Sequence, residues 1–93
     1  MDDAKLLEIK SQINIVDLIS SYVAITKSGK NYKGLCPFHN EKTPSFMASS
    51  ELQIFRCFGC GKSGDVFTFI QEIEGVDFPQ SIRILAERAG IKV

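Results

Sequence analysis

The sequence predicts an α+β fold in which a zinc ribbon with a small antiparallel sheet is flanked by N-terminal and C-terminal helices. Apolar residues recur at helical spacing near both ends, whereas the middle holds short extended runs separated by turn residues. All three cysteines and the one histidine lie in that middle part, in pairs with metal-ligand spacing. We expect one zinc-binding domain, residues 1–93, with helices at about 4–22 and 64–90 and the sheet at about 23–62.

The N-terminal part predicts two short helices. Residues 4–13 place Leu6, Leu7 and Ile13 on one side of the first helix. Asn14 is a suitable cap for the second helix, because its side-chain oxygen can accept the first free backbone N–H groups. The apolar face of the second helix follows the i, i+3, i+4, i+7 pattern and consists of Ile15, Leu18, Ile19 and Tyr22.

The middle part predicts antiparallel strands. Residues 23–26 and 32–36 are extended runs on either side of Ser-Gly-Lys-Asn at 28–31, a turn composition that favours a hairpin. Two further strands are predicted at 45–48 and 52–58. Together these strands form the predicted sheet.

The C-terminal part predicts two more helices, one that ends at Gly75 and one that runs from Asp77 to Gly90. Asp77 and Gln80 have the spacing of a capping box. The apolar faces of the two helices are expected to belong to the core. They consist of Val66, Phe69, Ile70 and Ile73 in the first helix, and of Ile82, Leu85, Ala86 and Ala89 in the second.

Four soft ligands form the strongest local pattern. Cys36 and His39 have two residues between them, as do Cys57 and Cys60, and seventeen residues separate the two pairs. Two-residue gaps let each pair bend around one ion, and the long gap allows two strands to bring the pairs together. Four ligands close a tetrahedral shell, which favours one structural Zn²⁺ over iron or a catalytic metal. Three cysteines in a chain without an export signal also argue against disulfides.

Enzyme patterns match less well. The run His39-Asn40-Glu41, followed by Cys57 and Cys60, superficially fits a zinc deaminase, in which water is the fourth ligand. Here Cys36 fills that position. We therefore predict no catalytic site within these residues. No apolar run approaches the roughly 18 residues of a membrane span, and the N-terminus is acidic, so a cytoplasmic protein is expected.

The net charge of zero conceals an uneven distribution. Residues 1–26 and 63–93 each carry a net charge of −2, whereas residues 27–62 carry +4 and five of the nine aromatic residues. Phosphates attract Lys and Arg, and unpaired bases stack on aromatic rings, so this segment predicts a surface that binds single-stranded nucleic acid. The candidate residues are Lys30, Tyr32, Lys33, Lys42, Phe46, Arg56 and Lys62. Three other rings can belong either to this surface or to the core, namely Phe38, Phe55 and Phe58.

Three runs of the sequence are distinctive: residues 29–33 (Gly-Lys-Asn-Tyr-Lys), 36–46 (Cys-Pro-Phe-His-Asn-Glu-Lys-Thr-Pro-Ser-Phe) and 57–61 (Cys-Phe-Gly-Cys-Gly). Together they resemble the N-terminal zinc-binding domain of bacterial DNA primase. The resemblance implies that the domain contacts a single-stranded DNA template and, with a separate RNA polymerase domain, governs where RNA primers start and how long they become. It implies that the replicative helicase is bound by other regions of the longer protein. One departure is Arg56, where many members of the family carry His.

An alternative from a different class also fits the residues. A zinc ribbon can dock on another protein, as a module of a replication or transcription accessory protein. Salt dependence separates the two functions, because binding to a DNA strand weakens steeply with salt and apolar docking does not.

Overall fold

The structure is a computed structural model that describes residues 3–40 and 42–92 of the chain. Its helices are α1 (Asp3–Gln12), α2 (Ile15–Ser20), α3 (Val66–Glu74) and α4 (Phe78–Ala89). Its strands are β1 (Ile25–Ser28), β2 (Asn31–Gly34), β3 (Phe46–Ser49), β4 (Ile54–Cys57) and β5 (Ser63–Gly64). The predicted α+β fold is confirmed: along the sequence, one pair of helices precedes the sheet and another pair follows it. Glu41, the acid of the deaminase pattern, lies outside the described residues.

The five strands form one sheet in the order β1-β2-β3-β4-β5, and each strand is antiparallel to the next. The first hairpin turns at Gly29 and Lys30, and Gly29 adopts φ 65°. Two-residue hairpins favour glycine because their turns require positive φ angles. The sheet extends to Gly64, beyond the predicted limit at residue 62, because the two-residue strand β5 pairs with β4. A strand of two residues has no periodicity that the sequence could reveal.

The register separates the sheet into two faces with different chemistry. Gly34, Phe46 and Cys57 lie in register on one face, and Ala48 and Phe55 lie in register on the same face. Phe46, Ala48, Phe55 and Cys57 are all buried. We call this the inner face because the helices cover it. The largest buried side chains on the helical side are Ile9, Ile15, Leu18, Ile19, Phe69, Ile70 and Leu85. The core therefore lies between the helices and one face of the sheet.

Helix α1 differs from the prediction in the residues that it buries. Ile9 is fully buried and Ile13, just after the helix, is nearly so, whereas Leu7 is 65% exposed. Ile9 and Ile13 are four residues apart and therefore lie on the same side of the helical path. Leu6 lies three residues before Ile9 and packs against this stripe, but Leu7 points about 100° away from Leu6.

The predicted caps Asn14 and Asp77 and the predicted ends at Gly75 and Gly90 are confirmed, but Tyr22, predicted on the apolar face of the second helix, lies beyond its end at Ser20 and is 40% exposed. The Asn14 side chain accepts backbone N–H bonds from Val16 and Asp17 at the start of α2. Asp65 caps α3 in the same way, and Asp77 accepts the Gln80 N–H at 2.9 Å in α4. Gly75 and Gly90 end these two helices with φ angles of 66° and 73°. Within the described part of the chain, no helix is long and apolar enough to cross a bilayer.

Candidate metal centre and the outer face of the sheet

The four predicted metal ligands come from two turns next to the sheet. Cys36 and His39 follow the end of β2, and Cys57 is the last residue of β4. Backbone hydrogen bonds hold the second turn, because Cys57 N–H donates to the Lys62 carbonyl at 2.8 Å and Gly61 N–H donates to the Cys57 carbonyl at 2.8 Å. The pairing of β2, β3 and β4 thus brings together two cysteine-containing turns that are distant in sequence.

The ligand atoms have the spacing that a tetrahedral zinc ion requires. The four atoms lie within 4.8 Å of one another. The Cys36 and Cys60 sulfurs are 3.8 Å apart, and His39 Nε2 lies 3.4 Å from Cys57 Sγ. Zn–S bonds of about 2.3 Å and Zn–N bonds of about 2.0–2.1 Å at tetrahedral angles give separations of roughly 3.8 Å between sulfurs and 3.6 Å between nitrogen and sulfur. The donor set and its spacing therefore fit Zn²⁺.

A second layer of contacts orients these ligands. His39 Nδ1 lies 3.3 Å from the Asn40 carbonyl, which leaves Nε2 directed at the sulfur cluster. Phe38 donates its backbone N–H to Cys36 Sγ at 3.4 Å, and the Ser45 hydroxyl lies 3.6 Å from Cys57 Sγ. Partners of this kind fix the tautomer of a ligating histidine and satisfy the charge of a thiolate.

The two buried thiols differ in acidity before any metal binds. Burial raises the pKa of the Cys57 thiol, but hydrogen bonds with His39, Ser45 and the Cys60 backbone outweigh burial and lower this pKa to about 6. Burial raises the pKa of Cys36 to about 12, and the neighbouring sulfurs of Cys57 and Cys60 add to the effect. A divalent cation among these sulfurs favours the thiolate form of each, since coordination deprotonates a thiol.

A comparison with protein families gives the same assignment as this geometry. The sequence profile of the CHC2 zinc finger matches residues 1–93. The chain belongs to the CHC2 zinc finger family. One structural zinc ion is accordingly the cofactor of this CHC2 zinc finger, and the spacing of its ligand atoms fits that ion.

Relatives of this CHC2 zinc finger are DNA primases. The chain is 55% identical over 86 residues to the DNA primase of Enterococcus faecalis, a match that covers 92% of the chain and 14% of that protein. It is 52% identical over 93 residues to the DNA primase of Staphylococcus epidermidis, covering the whole chain and 16% of that protein. The crystal structure of the Aquifex aeolicus primase, with zinc-binding and RNA polymerase domains, matches with a TM-score of 0.92 and 42% identity.

The chain is much shorter than these relatives. It spans 14% and 16% of the two primases and 23% of the crystallised Aquifex aeolicus chain, although that match covers the whole of the present chain. The family, the primase relatives and the structural match together confirm the predicted resemblance to the zinc-binding domain of DNA primase.

The face of the sheet opposite the core presents two rows of side chains across β2, β3 and β4, and Phe58 adds one further outward position just after β4. We call this face the outer face. The register places Lys33, Met47 and Arg56 side by side in the row nearer Phe58, which we call the middle row, and Asn31, Ser49 and Ile54 in the row next to it. Phe58 continues β4 on the same side as Arg56, two residues further along. No acidic residue occupies an outward position of the described strands.

The seven predicted strand-contacting residues do not all share this face. Lys33 and Arg56 are exposed in its middle row. Lys30 is exposed in the hairpin turn, and Lys42 is exposed in the loop before β3. Lys62 is exposed but forms a 2.8 Å ion pair with Glu72 of α3. Tyr32 is half-buried on the inner face, in register with Ala48, so it points away from its neighbour Lys33.

Phe46 was wrongly predicted to stack on bases. Its side chain is fully buried on the inner face of β3. The ring stacks on Phe55 with 5.6 Å between the centroids and also contacts Phe38 and Phe69. A ring without exposed surface cannot receive a base, so Phe46 belongs to the core. Phe55 is a core residue as well, and Phe38 is half-buried against this cluster.

The exposed ring is Phe58, which sequence reasoning left open between core and surface. It is 63% exposed, and the Arg56 guanidinium carbon lies 5.0 Å from the centre of its ring. The sequence contained a signal for this arrangement. Because side chains alternate along a strand, Arg56 and Phe58 must face away from Cys57, and Cys57 must face the metal.

Proposed function

We propose that this zinc-binding domain of a DNA primase binds the single-stranded DNA template on its outer face and thereby helps to control where RNA primers start and how long they become. The observation that carries the proposal is the outer face itself. Lys33 and Arg56 lie in one row of that face, Phe58 is exposed beside Arg56, and no outward position of the described strands is acidic.

This combination has a simple physical role. The backbone of a single strand carries one negative charge per nucleotide, and neutralising it with Lys or Arg releases bound counterions. Its unpaired bases expose flat rings that gain free energy by stacking on an aromatic side chain. Lys33 and Arg56 supply the cations, and Phe58 supplies the ring. Lys30 and Lys42 add positive charge in the adjoining loops.

In this proposed function the structural zinc ion acts indirectly, by supporting the sheet. When bound, the ion ties the turn after β2 to the turn after β4 through thiolate and imidazole bonds. The chain's own residues then keep the outer face in register, since the Phe58 N–H donates to the Ser45 carbonyl at 2.9 Å next to the metal centre. A fixed sheet presents cations and ring at constant spacing, which reduces the entropic cost of binding a flexible strand.

The proposed partners follow from the longer relatives. The Aquifex aeolicus structure contains an RNA polymerase domain besides its zinc-binding domain. We propose that an RNA polymerase domain joins nucleotides on the template that the present domain holds. The replicative helicase is proposed to bind through other regions of the full-length protein, within the cytoplasmic replication machinery of the primosome.

Protein docking is a second candidate, favoured by apolar side chains on the helical side. Leu7 is 65% exposed on α1, and Phe78 is 42% exposed at the start of α4. Both border one groove together with Leu6 and Phe67. A zinc ribbon that acted only as a docking module would use this side and would leave the outer face without a ligand.

A salt titration of DNA binding tests the proposal. The zinc-loaded chain is mixed with a labelled single-stranded DNA at several salt concentrations, and the dissociation constants are measured. If three to five phosphates are neutralised, log K should fall against log salt with a slope of roughly −2 to −3.5, at about 0.7 per phosphate. Absence of binding, or a flat slope, would favour protein docking instead.

A further inference from the structure

A groove of about 180 Å³ crosses the outer face over β3 and β4. Met47, Leu52 and Ile54 give it an apolar wall, and Leu52 and Ile54 are 67% and 41% exposed. Asn31 and Ser49 lie in the same row as Ile54 and make that end of the groove polar. The other end is bordered by Arg56 and Phe58.

Asn31 is the residue of this groove whose side chain offers both hydrogen-bond donors and an acceptor without an internal partner among the described residues. Its amide has one acceptor oxygen and two donor hydrogens. In residues 3–40 and 42–92 the structure records no hydrogen bond from that side chain to another protein group. The Ser49 hydroxyl, by contrast, already accepts the Leu52 N–H at 3.0 Å and belongs to the turn between β3 and β4.

We propose that this groove holds one nucleobase of the template strand, with the base lying on the Met47–Ile54 wall and its hydrogen-bonding edge at the Asn31 amide. Arg56 then contacts an adjoining phosphate. Phe58, two outward positions from Ile54 on β4, stacks on a different base of the same strand. The assignment rests on the proposed function, since it names the part of the outer face that distinguishes one base from another.

The chemistry of a nucleobase matches the groove at each surface. The face of a base is largely apolar, as is the wall formed by Met47, Leu52 and Ile54, while its edge carries adjacent donors and acceptors, as does a carboxamide. In a single strand these edges are not engaged in pairing and are open to a side chain. The rest of the outer face contacts phosphates and a stacked ring, neither of which distinguishes sequence. Asn31 is therefore the specificity-determining residue of the surface.

The test measures base preference with the zinc-loaded 93-residue chain. The probes are single-stranded DNA pools in which one position is fixed as A, C, G or T and the others are randomised. The wild-type chain should prefer one base at one position by about fivefold or more, the low end of what a bidentate amide contact discriminates. Asn31→Ala should reduce this preference to less than about twofold and leave the salt slope unchanged, because no charge is lost.

Two further variants separate the groove from general effects. Ser28→Ala is the matched control, because Ser28 lies on the same face, in register with Asn31 on β1, but does not border the groove. It should retain the full preference. Ile54→Ala shortens the apolar wall and should weaken binding of the preferred pool more than that of the others. Zinc content and thermal midpoint identify any variant that has not folded.

The outcomes distinguish a failure of the base site from a failure of the proposed binding of single-stranded DNA. If the wild-type chain binds single strands without any base preference, or if Asn31→Ala retains the preference, the groove does not read a base, although the proposed function stands. If the wild-type chain does not bind single-stranded DNA at all, the proposed function fails and the base site with it.

Discussion

Arg56 and Phe58 face the same side of β4, with the guanidinium carbon 5.0 Å from the ring centre, while Cys57 between them is fully buried as one of the four metal ligands. A cation at this distance from a ring is attracted to its face and restrains its orientation. The strand thus links the two chemical features of the domain, because the alternation that directs a ligand inward also directs a cation and a ring outward.

Phe58→Ala should weaken binding of single-stranded DNA about 5- to 150-fold, since one base stacked on an aromatic ring contributes about 1–3 kcal/mol. The salt slope should not change. Fluorescence anisotropy with a labelled strand measures both. Phe78→Ala is the matched control, because it removes another partly exposed ring, 42% exposed, from the helical side. Equal losses from the two variants would refute the assignment of Phe58.

Phe46→Ala should act on stability and not on DNA. Removal of a fully buried phenylalanine costs about 3–5 kcal/mol, from lost burial and from the cavity that remains between Phe38, Phe55 and Phe69. Chemical denaturation of the zinc-loaded protein measures this loss. Affinity for single strands, expressed per folded molecule, should stay at the wild-type value. Reduced affinity in molecules that remain folded would show that the ring has a direct role.

Removal of zinc should unfold the sheet and spare part of the helical signal. The ion joins the turns next to β2 and β4, and metal binding to small zinc domains contributes about 10–16 kcal/mol at neutral pH. Cys57→Ser should have the same effect as a chelator, because it replaces a buried thiolate ligand. Circular dichroism and metal analysis follow the change. A chain that stays fully folded without metal would contradict a structural role.

Gln53 should stabilise the turn between β3 and β4 by holding it to α2. Its Oε1 accepts the Ile15 N–H at 2.8 Å, and its Nε2 donates to the Ser50 carbonyl at 2.6 Å. Its own backbone is left-handed, with φ 57°. Gln53→Ala should cost about 1–3 kcal/mol, because the Ile15 N–H loses its partner while the backbone strain remains.

The matched variant at this position is Gln53→Gly, which loses the same hydrogen bonds but adopts positive φ without strain. It should therefore be less destabilising than Gln53→Ala in denaturant unfolding. If glycine is the more destabilising of the two, the left-handed backbone at this position is not a source of strain.

Much of the fold was predictable because its signals are local. Asn14, Asp65 and Asp77 cap helices through hydrogen bonds to residues two or three positions away, and spacing alone suggested the metal cluster. The burial of Ile9 in place of Leu7 was missed, since two adjacent leucines obscure the phase of a short helix. Neighbours in sequence determine such features, so sequence patterns can reveal most of them.

The composition of the outer face was harder to predict, because it depends on which residues of distant strands pair with one another. Phe46 and Phe58 are both aromatic and lie at or next to strand ends, but Phe46 pairs with Cys57 on the inner face, whereas Phe58 follows Cys57 by one position and is exposed. Composition cannot distinguish them. Asn31 likewise reads as a turn residue in sequence, and only the alignment of β2 with β3 places it beside Ser49 on the groove.

The most direct test of the central claim compares salt slopes between two variants of the zinc-loaded domain. Lys33→Ala/Arg56→Ala removes both cations of the middle row, whereas Arg83→Ala removes an exposed cation from α4 on the helical side. If the outer face holds the template, the double variant should make the slope of log K against log salt shallower by about 1.4, at about 0.7 per phosphate, and Arg83→Ala should leave it unchanged. A double variant that binds single-stranded DNA with the wild-type slope would contradict the account.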